Sequence, residues 1–88
     1  MAHLDTETLT LKQRYGHEFV EVGALYYHYR NPLIFYRVLA IGFQEATDEL
    51  CVIYQNLNDN IVWVRSLGSW LSTITKEEKT VTRFIKIS

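Results

Sequence analysis

Eighty-eight residues, 48% of them hydrophobic and 14% aromatic, describe one small globular domain rather than a disordered chain. A domain of this size buries only roughly 60–65% of its unfolded surface, which argues against a large catalytic cleft. Nine basic against ten acidic residues give a net charge of −1, which removes the phosphate attraction behind non-specific duplex binding and leaves only local basic patches to consider.

Residues 1–21 read as an N-terminal arm or short helix, and 22–88 as the main domain. Asp5-Thr6-Glu7-Thr8 supplies capping oxygens and an acid for a helix start, while Leu4, Leu9 and Leu11 are too sparse to set a firm helical period. From Val22 the pattern is β. Over 22–30 the run Tyr26-Tyr27-His28-Tyr29-Arg30 loads phenols and an imidazole onto alternating faces of one strand. That is more polar tips than core packing needs, so the run reads as a recognition surface or a buried polar network. Asn31-Pro32 ends the strand, because proline has no ladder donor. The next strand, 33–43, is apolar on both faces apart from Arg37, which predicts cover on both sides or a strong bend, with Gly42 as the bulge.

A polar connection from Glu45 to Glu49 leads to a strand over 50–57. Within it Cys51, the single cysteine, is read as a small buried hydrophobe in a reducing compartment. Asn58-Asp59-Asn60 carries residue types that accept the left-handed backbone of a tight hairpin. In the following strand Val62 and Val64 share one face, and Ile61, Trp63 and Arg65 the other. The valines are expected to point into the core, so that truncating Val64 costs more than truncating Arg65. Gly68 precedes a short helical or irregular turn around Ser69 to Ile74, then a polar loop from Lys76 to Lys79 and a last strand over 80–87.

About five short strands without room for crossover helices predict a mainly β fold, a small antiparallel barrel or sandwich. No apolar stretch approaches the ~18 residues that span a bilayer, and no secretory pattern stands at the start. The expectation is a cytoplasmic protein that keeps off the membrane.

Gly23, Tyr26-x-His28-Tyr29-Arg30, Tyr36-x-Val38-Leu39, Thr47-x-Glu49, Val52-x-Tyr54-x-x-Leu57, Trp63-Val64-Arg65 and Arg83-Phe84 are spaced as in a known family. Together they resemble the bacterial family catalogued as domain of unknown function 1653, over about residues 22–87. The resemblance implies a compact SH3-like β-barrel and brings no activity with it. The chain departs from the family pattern with Tyr27 where a basic residue usually precedes the histidine and Asn31 where glycine is usual. It also has Gln44-Glu45-Ala46-Thr47 for His-Ser-Glu-Thr, and Ser66 for the proline after Trp-Val-Arg.

His28, Glu49, Arg65 and Arg83 are the one set able to mimic an acid–base site, with His28 as the group that exchanges a proton near neutrality. The plainer reading pairs Glu49 with an arginine and has His28 donate to a backbone carbonyl. Metal and cofactor are not expected: His3, His17 and His28 lack ligand spacing, one cysteine cannot build a zinc site, and the glycines are isolated. Trp63 and Arg65, with Tyr26 and His28 on a neighbouring strand, suit a stacking and anion-binding platform. Tyr29, Glu49 and Arg83 complete the candidate ligand-binding set.

Two functions follow. One is a non-enzymatic binding or protein-interaction module whose ligand is a protein or a small molecule; the alternative is a small enzyme or enzyme accessory using His28 and Glu49. Duplex nucleic acid is not an expected partner. Six tyrosines and two tryptophans exceed what so small a core buries, so the outer face of the 22–30 strand with Trp70 is predicted to form a homodimer or partner contact.

Overall fold

The computed structural model describes residues 3–87. Its N-terminal segment is a helix, α1 (Thr6–Phe19). The Asp5 carboxylate starts it by accepting the Thr8 backbone N–H at 2.7 Å, and this bond holds the Asp5 carboxyl below its ordinary range. The sparse leucines are explained by how little of the helix is buried: Gly16 alone is fully covered. A Cβ at Gly16 would stand 2.7 Å from Leu50 Cδ2, so the absent side chain is what lets the helix lie against Leu50 and Ile41.

Seven strands and a second short helix follow: β1 (Leu25–His28), β2 (Asn31–Gln44), β3 (Glu49–Asn56), β4 (Val62–Ser66), α2 (Leu67–Trp70), β5 (Thr73–Lys76), β6 (Lys79–Thr82) and β7 (Phe84–Lys86). Five of the strands make one antiparallel sheet in the order β4-β3-β2-β1-β7, and β5 with β6 makes a separate hairpin. At 49% strand and 21% helix the fold is mainly β, but the sheet does not close into a barrel. β4 and β7 remain its two edges, and the chain between them forms α2 and the β5–β6 hairpin, neither of which pairs with the sheet.

The bulge in β2 falls at Leu39, between Val38 and Ala40, rather than at Gly42. This extra residue flips the alternation, which is how Val38 and Ile41, three positions apart, both reach the core. β1 is shorter than its aromatic run, since Gly23 turns the chain before it at φ 90° and Tyr29-Arg30 turn it afterwards. The polar Lys76 to Lys79 stretch is a hairpin turn with Glu77 and Glu78 both left-handed, at φ 52° and 66°. The expected strand over 80–87 breaks at Arg83, whose N–H donates to the Ser72 carbonyl at 3.0 Å and not to the sheet ladder.

In β4 the two faces are as anticipated but their orientation is reversed. Tyr54 pairs with Trp63 and Val52 with Arg65, and Tyr54 and Val52 are core residues, so Trp63 and Arg65 lie on the inner face. Val62 and Val64 stand opposite Gln55 and Ile53 on the outer face, and Val64 is 63% exposed. The inner face is held by aromatic packing. Trp70 of α2 stacks on Phe84 with centroids 3.8 Å apart, and Tyr54 and Tyr26 meet Trp70 edge-on at 5.0 and 5.2 Å. Trp70 is therefore 3% exposed and cannot contribute to a partner surface. Ser66 caps α2 by accepting the Ser69 N–H at 3.2 Å. Cys51 is buried, and that burial pushes its thiol pKa up. No helix among the described residues is long and apolar enough to cross a membrane.

Candidate functional site

Alternation along the strands places His28, Tyr36, Tyr54, Trp63 and Arg65 on the inner side of the sheet, the side that carries the buried ring of Phe84. His28 meets Phe84 edge-on at 5.2 Å, with Tyr54 at 5.6 Å and Tyr36 at 6.1 Å. The Arg65 guanidinium lies over the same ring, 5.2 Å from its centroid, and so reaches from edge strand β4 to edge strand β7. It is fixed there by two neutral acceptors. Arg65 Nε donates to the Tyr54 hydroxyl at 3.3 Å and Nη1 to Ser69 Oγ at 3.0 Å.

Arg83 is anchored on the same turn of chain. Its Nε donates to Ser72 Oγ at 2.8 Å, and that hydroxyl donates in turn to the Ser69 carbonyl at 2.6 Å. Ser69 and Ser72, three residues apart after Gly68, each accept from one of the two arginines, so both side chains are tied to one short stretch of chain. Neither has a carboxylate partner: the ion pairs among the described residues join His3 to Asp48 and Lys86 to Glu21.

His28 titrates below its usual range, first because it is partly buried and then because Arg83, Arg65 and Arg30 repel its proton. Its Nδ1 accepts the Arg30 backbone N–H at 3.2 Å, which assigns the proton of the neutral ring to Nε2 and reverses the expected donation to a carbonyl. Tyr29 lies against the imidazole at 4.9 Å, and its hydroxyl accepts from Arg30 Nε at 2.6 Å. On the other side of Arg65 a depression of about 280 Å³ is lined by Tyr36, Tyr54, Asn56, Asp59, Trp63 and Arg65. Trp63 leaves half of its surface exposed there, and the Tyr36 phenol is held above its ordinary pKa, chiefly by burial.

Of the residues singled out from the sequence, His28, Trp63 and Arg65 share the inner face of the sheet, with Tyr29 against His28 and Arg83 bonded to Ser72. Tyr26 does not: it is buried, its hydroxyl accepts the Glu21 N–H at 3.0 Å, and its ring packs on Trp70. Glu49 begins β3 opposite Gln44, at the far end of a long hairpin from His28, and makes no ion pair with an arginine. Tyr36 stood in a spaced motif without a site role, and Asn56 in none; Asp59 reads as a turn residue, and one of its oxygens does cap the Ile61 N–H at 2.9 Å. Among the described residues no three His, Cys, Asp or Glu side chains converge as metal ligands. No curated protein and no solved structure matches the chain. The family described as Protein of unknown function (DUF1653) matches residues 24–86, a span that holds every strand of the sheet, α2 and the β5–β6 hairpin, and the chain belongs to that family.

Proposed function

We propose that the protein is a non-enzymatic binding module, an SH3-like small barrel left open between β4 and β7, that takes its ligand on the concave patch around Arg65. The observation that carries this reading is the state of Arg65 and Trp63. A guanidinium held by Tyr54 and Ser69 without a carboxylate partner stands beside a half-exposed indole on the same strand face. Tryptophan and arginine are the residue types that anchor binding sites, and side chains already fixed in place lose little conformational entropy when a ligand arrives. The enzymatic alternative lacks such support. His28 is surrounded by arginines that disfavour its protonated form, and Glu49 is not beside it to share a proton.

The test is an amide and side-chain NMR titration with a mixed set of small anionic and aromatic compounds. Shifts should concentrate at the Trp63 indole N–H, Arg65 Nε and the Tyr54 and Asn56 amides. Binding centred instead on the apolar groove of Leu11, Tyr15 and Leu67 beside α1 would refute the assignment.

A further inference from the structure

We infer that the concave patch recognises a nucleotide unit, with the base stacked on Trp63 and the phosphate held by Arg65 and Arg83. This rests on the binding reading above and adds the chemical class of the ligand. Four features of the patch converge on it.

The first is charge. The chain as a whole is nearly neutral at −1, yet Arg30, Arg65 and Arg83 all act on His28 and none is in an ion pair with a described carboxylate. Positive charge is thus concentrated where the rest of the surface has none in excess, and an anion is the complement. The second is unused donor capacity. Arg65 has five N–H donors, of which Tyr54 and Ser69 occupy two, and Arg83 has given one to Ser72. The remaining donors suit a group with several oxygens, as phosphate has.

Shape is the third. The depression beside Arg65 measures about 280 Å³, below the range of roughly 300–1,000 Å³ that encloses a drug-sized ligand. It fits a single planar group, with the exposed Trp63 indole as the face to stack on and Tyr36 and Tyr54 as walls. Trp63 and Arg65 are two residues apart on one strand face, about 7 Å, so a ring on one leaves a linked phosphate near the other.

The fourth feature separates a base from other planar anions. Asn56 and Asp59 line the same depression. Asn56 uses its carbonyl oxygen to accept the Asn58 N–H and keeps its amide N–H groups, while Asp59 uses one oxygen on Ile61 and keeps the other. A donor and an acceptor beside a stacking face match the edge of a base carrying an exocyclic amine. A free nucleotide and a unit of single-stranded nucleic acid share this chemistry, and the test distinguishes them.

Isothermal titration calorimetry at low ionic strength, paired with NMR shifts, would use adenosine 5′-monophosphate, uridine 5′-monophosphate, adenosine, ribose 5-phosphate and a short single-stranded oligoadenylate as probes. The adenine nucleotide should bind with shifts at Trp63 and Arg65, more tightly than adenosine, ribose 5-phosphate or the uracil nucleotide. Trp63→Ala, at a half-exposed position that leaves the core intact, should weaken it by about tenfold or more, and Arg83→Gln by a similar factor. Tighter, salt-sensitive binding of the oligoadenylate would assign the site to single strands, and binding no tighter than the mononucleotide would assign it to free nucleotides. Absence of adenine nucleotide binding at millimolar concentration, or ribose 5-phosphate binding as well as the nucleotide, would overturn the inference. If an acidic peptide or aromatic carboxylate then shifted the same residues, the binding patch would stand and only its ligand class would fall.

Discussion

Replacing Arg65 with alanine should destabilise the protein more than replacing Val64, the reverse of what their hydrophobicity suggests. Arg65 donates to Tyr54 and Ser69 and lies over Phe84, so truncation removes two charge-assisted hydrogen bonds and a cation–π contact. Such bonds contribute about 1.5–3 kcal/mol each when well shielded, and the ring contact about 0.5–1 kcal/mol at a partly open site. Because the side chain is only half-buried, the bonds are discounted to about half, which with the ring contact leaves a net cost of about 2–4 kcal/mol. Val64 is 63% exposed on the outer face, and its truncation removes little buried surface, so its cost is about 0.5 kcal/mol. For a domain of this size 1 kcal/mol shifts the melting midpoint by about 4–8 °C, giving a drop of about 8–32 °C for Arg65→Ala and about 2–4 °C for Val64→Ala. Urea unfolding of both variants, with the slope checked for constancy, measures the difference directly. A larger loss for Val64→Ala would show that the outer face of β4 is the packed one and would refute the orientation of the strand.

Phe84→Ala should cost about 3–5 kcal/mol, since the ring is buried between Trp70, Tyr54, Tyr36 and Arg65, and denaturant titration would show a protein near the limit of folding. Asn at position 77 with Gly at 78 should raise the melting temperature: both glutamates hold left-handed backbone in a two-residue hairpin turn, where the exchange relieves about 1 kcal/mol per site. An unchanged or lowered midpoint would count against that turn geometry. His28 sets a pH dependence whose sign follows from its lowered pKa. The unfolded chain takes up the proton more readily, so stability is complete above the unfolded value near 6.5 and declines as pH falls from there to the folded pKa. A His28→Gln variant should lose this slope, and a wild-type slope that survives the exchange would assign it to another group.

What was legible in the sequence was local. Asn58-Asp59-Asn60 specified its hairpin, and Asn60 is indeed left-handed at φ 63° with its N–H on the Asn56 carbonyl at 2.8 Å. Asp5 capped its helix. The alternation of Val62, Trp63, Val64 and Arg65 was legible too, but not which side faced inward. Side-chain character favours the valines, whereas the pairing of Trp63 with Tyr54 and of Arg65 with Val52 decides it, and that pairing is a property of two strands. Trp70 was read as a surface residue because nothing in Gly68-Ser69-Trp70 reports that α2 folds back onto Phe84. The polar loop from Lys76 to Lys79 was legible, but not its tight left-handed geometry, since glutamate is not a residue type that announces such backbone. The candidate site suffered in the same way: His28, Arg65 and Arg83 could be named from their chemistry, but Ser69 and Ser72, which seat the arginines, acquire meaning only once both side chains reach the same turn.

The two tryptophans occupy opposite environments, and this gives the molecule two separate optical reporters. Trp70 is 3% exposed and stacked flat on Phe84, so its emission should be blue-shifted, protected from a soluble quencher, and lost only on global unfolding. Trp63 is 51% exposed at the rim of the depression, so its emission should be quenched freely and should respond to whatever settles over it. Replacing either indole with phenylalanine isolates the other signal, so that occupancy of the surface and integrity of the interior can be followed independently in the same cuvette.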